Sequence, residues 1–175
     1  MKPLVAAIAV ILVALAVGAQ AQTPLIDALR ARAEQGDATA QNLLGFLYAV
    51  GRGIPQDDTE AVRLYRLAAD QGDAGAQYAL GFMYAVGRGV PQDHAEAVRW
   101  YRLAADQEHA GAQGNLGVMY AVGRGVPQDD VEAVRLYRLA AEQGNASAQS
   151  NLGFMYATGR GVPQDDAEAV RWWQL

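Results

Sequence analysis

The sequence predicts an all-α fold, a right-handed α-solenoid built from stacked helix-turn-helix repeats. The string Gly-Arg-Gly-(Ile or Val)-Pro-Gln-Asp occurs four times at a constant interval of 36 residues, beginning at Gly51, Gly87, Gly123 and Gly159. Apolar residues with helical spacing precede each string and follow it. A fixed period of about 20 to 50 residues indicates one supersecondary unit stacked on copies of itself. Such arrays usually present a long binding surface, which argues against an ordinary enzyme.

The first helix of each repeat, helix A, is predicted from apolar residues at positions i, i+4, i+7 and i+8. In the first repeat these residues are Ala40, Leu44, Leu47 and Tyr48. This spacing lines one face of a helix. Helix A is expected to end at Gly51, because glycine adopts the left-handed conformation that a helix C-terminus favours. Pro55 then prevents the helix from continuing.

The second helix, helix B, is predicted to start after Asp57. We expect Asp57 to accept hydrogen bonds from free backbone N–H groups, and Glu60 to reach back to the start of the helix. The apolar face of helix B then comprises Ala61, Leu64, Tyr65 and Ala68. Helix B ends at a glycine in the first and third repeats, whereas Glu108 takes that place in the second.

The chain divides into six segments on this alignment. They are a secretory signal (1–21), an N-terminal capping half-repeat (22–36), and repeats 1 to 4 (37–72, 73–108, 109–144 and 145–175). The last repeat stops five residues short of the others. The half-repeat is inferred because residues 24–36 align with helix B of a preceding unit.

The first 21 residues resemble a secretory signal. Lys2 precedes an apolar run, and Ala19-Gln20-Ala21 supplies the small residues that a signal peptidase accepts. We expect cleavage after Ala21 and a periplasmic or secreted bacterial protein. The alternative is an uncleaved membrane anchor, but the run is shorter than the roughly 20 residues that a spanning helix needs. No stable membrane insertion is expected after cleavage.

Composition excludes several classes of partner. The chain has no cysteine, so disulfides and lipid attachment through a cysteine are excluded. Removing the signal with its single lysine leaves 13 Arg against 19 Asp and Glu, a net charge of −6. Nucleic-acid binding requires a basic stripe, whereas here arginines recur beside acids, as Arg63 does beside Glu60. We interpret most arginines as members of solvated pairs on helix faces, and expect neither nucleic acid nor anionic membranes as partners.

Three stretches carry a family resemblance. Ala-Gln-x-x-Leu-Gly-x-x-Tyr, Gly-x-Gly-Val-Pro-x-Asp and Glu-Ala-Val-Arg-Trp-Tyr-Arg-Leu-Ala-Ala resemble the Sel1-like repeat, a relative of the tetratricopeptide repeat. The resemblance covers residues 37–175. It implies an unidentified protein partner bound by a non-catalytic scaffold, with helix A lining the concave face. Some cysteine-rich relatives imply an alternative, a hydrolase of cell wall or β-lactams, but this chain lacks their cysteines.

No catalytic, cofactor or metal site is predicted. The Gly-Arg-Gly turn follows a helix and lacks the strand and third glycine of a dinucleotide loop. Paired aspartates such as Asp57 and Asp58 argue weakly for calcium, since one of each pair caps a helix. His94 and His109 replace aspartate or asparagine in other repeats and are interpreted as exposed substitutions. Neither has a recurring nucleophile or carboxylate partner.

Two sets of residues are assigned to packing inside the solenoid. Trp100, Trp172 and Trp173 occupy inward positions of helix B, with a carbohydrate-stacking platform as the alternative. A glycine recurs inside helix A at Gly45, Gly81, Gly117 and Gly153. Each costs about 1 kcal/mol of helix propensity relative to alanine. A close approach between helix A and helix B, which leaves no room for a side chain, would offset that cost.

The partner-binding groove is predicted from variation among the repeats. Two helix A positions differ between repeats, one reading Asn42, Tyr78, Gly114 and Ser150, the other Phe46, Phe82, Val118 and Phe154. Positions that packing does not dictate are free to differ, so both series are expected in the groove. Tyr78 is the expected anchor of the first series, since tyrosine is over-represented among residues that dominate binding energy.

The C-terminal end is expected to be adhesive. Helix B of repeat 4 stops before the Ala-Ala that completes the other repeats. Terminal repeats need a polar outer face to stay soluble, yet Trp172, Trp173 and Leu175 lie at this end. Self-association through the C-terminal end is therefore predicted.

Overall fold

The computed structural model of the protein describes residues 24–174, and these residues form nine helices and no strand. The helices are α1 (24–34), α2 (Ala38–Val50), α3 (Asp58–Asp70), α4 (Ala74–Val86), α5 (His94–Asp106), α6 (Ala110–Val122), α7 (Asp130–Glu142), α8 (Ala146–Thr158) and α9 (Asp166–Trp173). Helices α2, α4, α6 and α8 are the A helices, and α3, α5, α7 and α9 are the B helices. The predicted solenoid of helix pairs is confirmed. The predicted signal lies outside the described residues.

Each A helix begins at a side-chain cap and ends, as the sequence predicts, at a glycine. In α4, the side chain of Asp73 accepts a hydrogen bond from the Ala76 N–H, and the helix ends at Gly87 with φ of +73°. The Gly87 N–H donates to the carbonyl of Met83. Glycine adopts this left-handed conformation without the steric cost that a β-carbon brings.

Within 24–174, no helix is long and apolar enough to cross a membrane.

The turn between the two helices fits against the preceding repeat. Gly89, the second glycine of the recurring string, has φ of +69° and faces the Asp58 carbonyl at the start of the preceding helix B. A β-carbon at Gly89 would overlap that carbonyl. Both the backbone conformation and the close approach therefore require glycine. The Gly-Arg-Gly turn has the structural role that its position after a helix indicates.

Each B helix starts at an aspartate, with one departure from the predicted capping pattern. The Asp57 carboxylate accepts from the N–H groups of Thr59 and Glu60, both at 3.0 Å, which confirms the cap. The prediction that Glu60 reaches back is wrong. Its carboxylate binds Arg63 at 2.6 and 2.8 Å, while the Asp57 N–H donates to the Tyr48 carbonyl. The chain entering helix B thus satisfies the donor that a capping glutamate would have reached.

Small and apolar side chains form the interior, but a glutamine is buried among them in repeats 1 to 3. Gln77 is only 4 % exposed. Its amide donates to the Ala69 carbonyl at the end of the preceding helix B, at 3.2 Å, and its oxygen accepts from Gln107 at 2.8 Å. One side chain thereby joins three helices. Gln41 makes the same contact with Ala33 of α1, at 3.0 Å, so α1 occupies the place of a helix B against α2.

The tryptophans fall into two groups. Trp100 and Trp172 are buried, which confirms their assignment to the interior. Trp173 is 53 % exposed; its ring lies over Gly153 and its Nε1 donates to the Ser150 carbonyl at 3.1 Å. Of the predicted adhesive residues, Trp172 is therefore not an exposed apolar surface, and Leu175 lies outside the described residues. Self-association stays a prediction that rests on Trp173.

Candidate binding surface on the helix A face

The A helices carry no charged side chain. Their segments contain only Ala, Gly, Ser, Thr, Asn, Gln, Tyr and aliphatic or aromatic apolar residues. The charged residues of repeats 1 to 4 lie on the B helices, in the turns and at helix caps. The face that the A helices present to solvent is consequently uncharged over all four repeats.

A row of exposed apolar side chains follows this face. The second predicted series, Phe46, Phe82, Val118 and Phe154, is between 39 and 50 % exposed. One turn later in the first three A helices are the exposed valines Val50, Val86 and Val122. Residues at i and i+4 lie on the same face of a helix. We call these seven side chains the helix A stripe.

The first predicted series does not form a row of free side chains. Asn42 donates to the Asp73 carboxylate at 2.9 Å, and the ring of Tyr78 stacks on His109 with 4.7 Å between ring centroids. Gly114 is buried, and only Ser150 is exposed. The premise that packing leaves this position free is therefore wrong. Each of its first three residues packs against the next repeat.

The position varies because its neighbour varies. Asn42, Tyr78 and Gly114 each face the residue that caps the next helix A, and these caps are Asp73, His109 and Asn145. Asparagine meets aspartate, tyrosine meets histidine, and glycine meets asparagine. Comparing each of these three residues with the residue 31 positions later would have shown that the two change together. A binding role for Tyr78 stays a prediction, and it would act from a partly buried position.

Arginines of the turn join successive repeats, a role that the sequence did not reveal. Arg88 binds both carboxylate oxygens of Asp58, at 2.5 and 3.2 Å, and also donates to the Ala49 carbonyl. Arg160 does the same with Asp130 and Ala121. We call each such group of three a turn clamp. Its hydrogen bonds hold the pKa of the Asp58 and Asp130 carboxyls below their ordinary value.

These clamps correct the sequence interpretation of the arginines. Arg63 pairs with Glu60 on an exposed helix face, as predicted. Arg88 and Arg160 instead lie between repeats, with partners 30 residues away. The structure also corrects the prediction that both histidines are exposed. His94 and His109 are partly buried at one junction between repeats, and neither is a freely exposed substitution.

Titratable groups inside the solenoid are held in their neutral form. Burial raises the pKa of the Tyr65, Tyr101 and Tyr137 hydroxyls to about 12. Among residues 24–174, no group of three or more His, Cys, Asp or Glu side chains is placed to hold a metal ion.

An apolar pocket adjoins the first residue of the stripe. It has a volume of about 420 Å³ and lies between α1 and α2. Leu25, Leu29, Leu43 and Phe46 contribute to its walls. The exposed apolar surface therefore continues from the stripe onto α1.

Helix pairs stacked at a constant period, with an uncharged A face and clamped turns, define an α-solenoid repeat protein. The family model of the Sel1 repeat matches residues 38–73, 74–109, 110–145 and 146–175. The chain therefore belongs to the Sel1 repeat family, and the matched units begin one residue later than those drawn from the sequence. Sel1 repeats commonly mediate protein–protein interaction, and proteins built from them are typically non-catalytic scaffolds.

Two solved structures resemble this chain closely. One is c5321, a protective antigen of uropathogenic Escherichia coli with an SLR fold: it is 46 % identical, with a TM-score of 0.82 over 85 % of this chain and 32 % of its own. The other is a Sel1 repeat protein from Oxalobacter formigenes, 40 % identical, with a TM-score of 0.75 over 79 % of this chain and 55 % of its own. This chain thus spans about a third and about half of their lengths. No curated protein sequence matches it.

Proposed function

We propose that this protein is an exported, non-catalytic scaffold that binds another protein through the helix A stripe. The observation that carries the proposal is the repetition of exposed apolar side chains at equivalent positions of four successive A helices. Single exposed apolar residues are common, whereas a continuous apolar patch marks an interaction surface. The stripe runs through all four repeats, and no charge interrupts it within the A helices.

The geometry of stacked helices limits the size of the partner segment. Packed helices lie about 8 to 10 Å apart, so four rungs of the stripe span roughly 27 Å. An extended chain advances about 3.3 Å per residue and would cover that length with roughly eight residues. A partner segment of this length, with apolar side chains at about every third position, fits the stripe. Its charged residues would lie beyond the A helices, next to the turns.

The site is tested by comparing the proteins that the wild type and its variants capture. The mature chain would be immobilised and exposed to a periplasmic extract, and the bound proteins identified by mass spectrometry. We expect the double variant Phe82→Ser with Phe154→Ser to lose at least one protein that the wild type retains. The matched control is Leu103→Ser with Leu139→Ser, which removes side chains of 42 and 38 % exposure from the B helices.

The pattern of loss decides between surfaces. Equal capture by the wild type and the Phe82/Phe154 variant would contradict the proposal. Loss only in the Leu103/Leu139 control would move the binding site to the B helices. Circular dichroism and thermal unfolding of each variant would show that the substitutions at exposed positions leave the fold intact.

Export is tested independently of binding. The presence of Ala19-Gln20-Ala21 after an apolar run supports cleavage before Gln22. Intact-mass measurement of protein recovered from the periplasm of a bacterial host should give a chain that begins at Gln22. A membrane-bound product that retains residues 1–21 would contradict it.

A carbohydrate-binding module remains the second candidate, and a single residue supports it. Trp173 exposes half of its side chain, whereas Trp100 and Trp172 are buried and offer no stacking face. Titration of cell-wall fragments against tryptophan fluorescence, compared between wild type and Trp173→Leu, would detect such binding. A hydrolase would require a nucleophile and base that the sequence does not show.

A further inference from the structure

The three junctions between successive repeats are joined differently at their two edges. At the edge formed by the turns, the junction between repeats 1 and 2 has the clamp of Arg88 with Asp58, and the junction between repeats 3 and 4 has Arg160 with Asp130. At the opposite edge, formed by the starts of the A helices, Asn42 binds Asp73 in the first junction. The junction between repeats 2 and 3 differs from both.

The turn clamp is missing between repeats 2 and 3. His94 occupies the place of Asp58 and Asp130, and among residues 24–174 Arg124 forms no ion pair. The backbone is not displaced, because a β-carbon at Gly125 would overlap the His94 carbonyl just as the equivalent glycines face Asp58 and Asp130. The side chain alone therefore removes the clamp.

Other polar groups near the missing clamp are rearranged. The Nδ1 atom of His94 is buried and has no hydrogen-bond partner among the described residues. The Ala85 carbonyl, equivalent to the carbonyls that Arg88 and Arg160 bind, accepts instead from Gln92 at 2.8 Å. A buried polar atom without a partner is costly, so this edge is the weaker one.

The opposite edge of the same junction depends on the second histidine. His109 caps α6 by accepting the Ala112 N–H at Nδ1, at 3.2 Å, and its ring stacks on Tyr78 of repeat 2. Asn115 adds a hydrogen bond to the Tyr101 hydroxyl at 3.1 Å. The chain has two histidines, and they lie on the two edges of one junction.

A histidine cap works only while the accepting nitrogen is free of a proton. Protonated imidazole has N–H donors at both nitrogens, so Nδ1 cannot accept the Ala112 N–H, which would keep only its bond of 2.9 Å to the His109 carbonyl. Its positive charge would also lie at the positive end of the α6 dipole. The equivalent caps Asp37, Asp73 and Asn145 offer oxygen acceptors instead.

We propose that the junction between repeats 2 and 3 is acid-sensitive, because the His109 side chain that stacks on Tyr78 across the junction also caps α6, and that cap is lost when the histidine gains a proton. The groups that act on the His109 side chain are the Tyr78 ring, the backbone of His109 itself and the Asp73 carboxylate. This junction lies between α1–α5 and α6–α9, since repeats contact only their neighbours.

The direction of the pH effect follows from the environment of His109. Burial lowers its pKa, and this outweighs the opposing influences of a hydrogen bond to the backbone of His109 itself and of the Asp73 charge. A histidine whose pKa is lower in the folded chain binds fewer protons there than in the open form. The stabilising effect is complete above the ordinary value of about 6.5 and declines as the pH falls below it. At pH 5.5 the decline is at most about tenfold in the closing equilibrium.

Hydrogen exchange measured by mass spectrometry tests the proposal within one chain. Protection factors of the segment 109–116 would be compared at pH 7.5 and 5.5 with those of 73–80 and 145–152, which have Asp73 and Asn145 as caps. We expect protection of 109–116 to fall several-fold more than that of the two control segments. Equal changes in the three segments would overturn the proposal.

Two substitutions separate the edges. His109→Asn supplies the cap found in repeat 4 and should remove the excess pH response of 109–116. His94→Asp should restore the clamp with Arg124 and raise protection at both pH values, while leaving the pH response of the His109 cap in place. A His109→Asn variant that keeps the wild-type response would overturn the proposal.

A measurement on the wild-type protein tests the proposal even if the variants fail to fold. In an NMR titration, the His109 ring and the Ala112 amide should shift with the same midpoint, below that of an unstructured histidine. Independent midpoints would overturn the coupling between protonation and the cap.

Discussion

The ring of Tyr137 lies directly against Gly117, so that a β-carbon at Gly117 would stand 2.8 Å from Cδ1 and Cε1 of the ring. Glycine inside a helix costs about 1 kcal/mol relative to alanine, and this contact offsets the cost. The close approach predicted between the A and B helices is confirmed. The closest atoms belong to the tyrosine side chain, while the backbone oxygen of Ala133 would lie at 3.4 Å.

Gly117→Ala is expected to destabilise the protein. Overpacking a tight contact costs about 1 to 3 kcal/mol, which exceeds the gain of about 1 kcal/mol in helix propensity. The matched control is Gly114→Ala in the same helix, where the nearest atom, Asn145 Oδ1, would be 3.8 Å from the new β-carbon. Thermal unfolding should give a lower melting temperature for Gly117→Ala and a higher one for Gly114→Ala. The opposite order would contradict this account of packing.

Glu108→Gly is expected to stabilise the protein. Glu108 lies two residues beyond the end of α5 with φ of +61°, and the equivalent residues Gly72 and Gly144 have φ of +90° and +82°. A residue with a β-carbon is destabilised by roughly 1 to 2 kcal/mol in this left-handed region. Glycine has more conformational freedom in the unfolded chain, which reduces the expected net gain in unfolding free energy to about 1 kcal/mol. Gly144→Ala, with no atom within 4 Å of its β-carbon, should show the reverse change. Urea unfolding measures both; a destabilised Glu108→Gly would refute the strain argument.

Asp130→Asn is expected to weaken the turn clamp and reduce the acid sensitivity of stability. The Arg160 hydrogen bond lowers the Asp130 pKa, so its stabilising effect is complete above about pH 4 and is lost as the pH falls through the lower folded value. The loss at pH 7 should be about 0.5 to 1 kcal/mol, since the pair is partly exposed. Glu132→Gln, which removes a pair within one helix, should cost less. Unfolding measured from pH 7 to pH 2 checks both. Identical pH profiles of wild type and Asp130→Asn would contradict the assignment.

Gln77→Leu is expected to be destabilising although it replaces a polar residue in an apolar interior. It removes two hydrogen bonds, one to the Ala69 carbonyl, which keeps the Gly72 N–H, and one from Gln107, and each contributes about 0.5 to 1.5 kcal/mol. Gln149→Leu is the graded comparison, because Gln149 has one such contact, with the Ala141 carbonyl. The loss in unfolding free energy should therefore be smaller at Gln149. A stabilised Gln77→Leu would show that burial of apolar area outweighs the hydrogen bonds.

The sequence predicts the helix ends well because local chemistry sets them. Gly51 terminates helix A and Asp57 starts helix B through contacts within a few residues. Gln77 and Arg88 are different, since their partners lie 8 to 39 residues away in neighbouring helices. The sequence of one repeat alone does not indicate that a polar residue has partners in neighbouring repeats. The 36-residue alignment contains the information only when columns from successive repeats are compared.

The candidate site likewise has one part that the local sequence predicts and one part that depends on the next repeat. Exposure of Phe82 follows from its place on helix A, opposite the residues that face helix B. The place of Tyr78 depends on which residue caps the next helix A, and a histidine there makes stacking favourable. Variation among repeats therefore indicates either a free surface or a matched contact. Only the coordinates distinguish the two cases.

The contact of Gly89 with the preceding repeat gives the solenoid a direction of growth. Each turn packs its glycine against the start of the previous helix B, and Gln77 likewise reaches back to the end of that helix. When folding proceeds from the N-terminal side, each repeat docks on a preceding repeat that is already in place. Each completed unit then supplies the surface on which the next one packs.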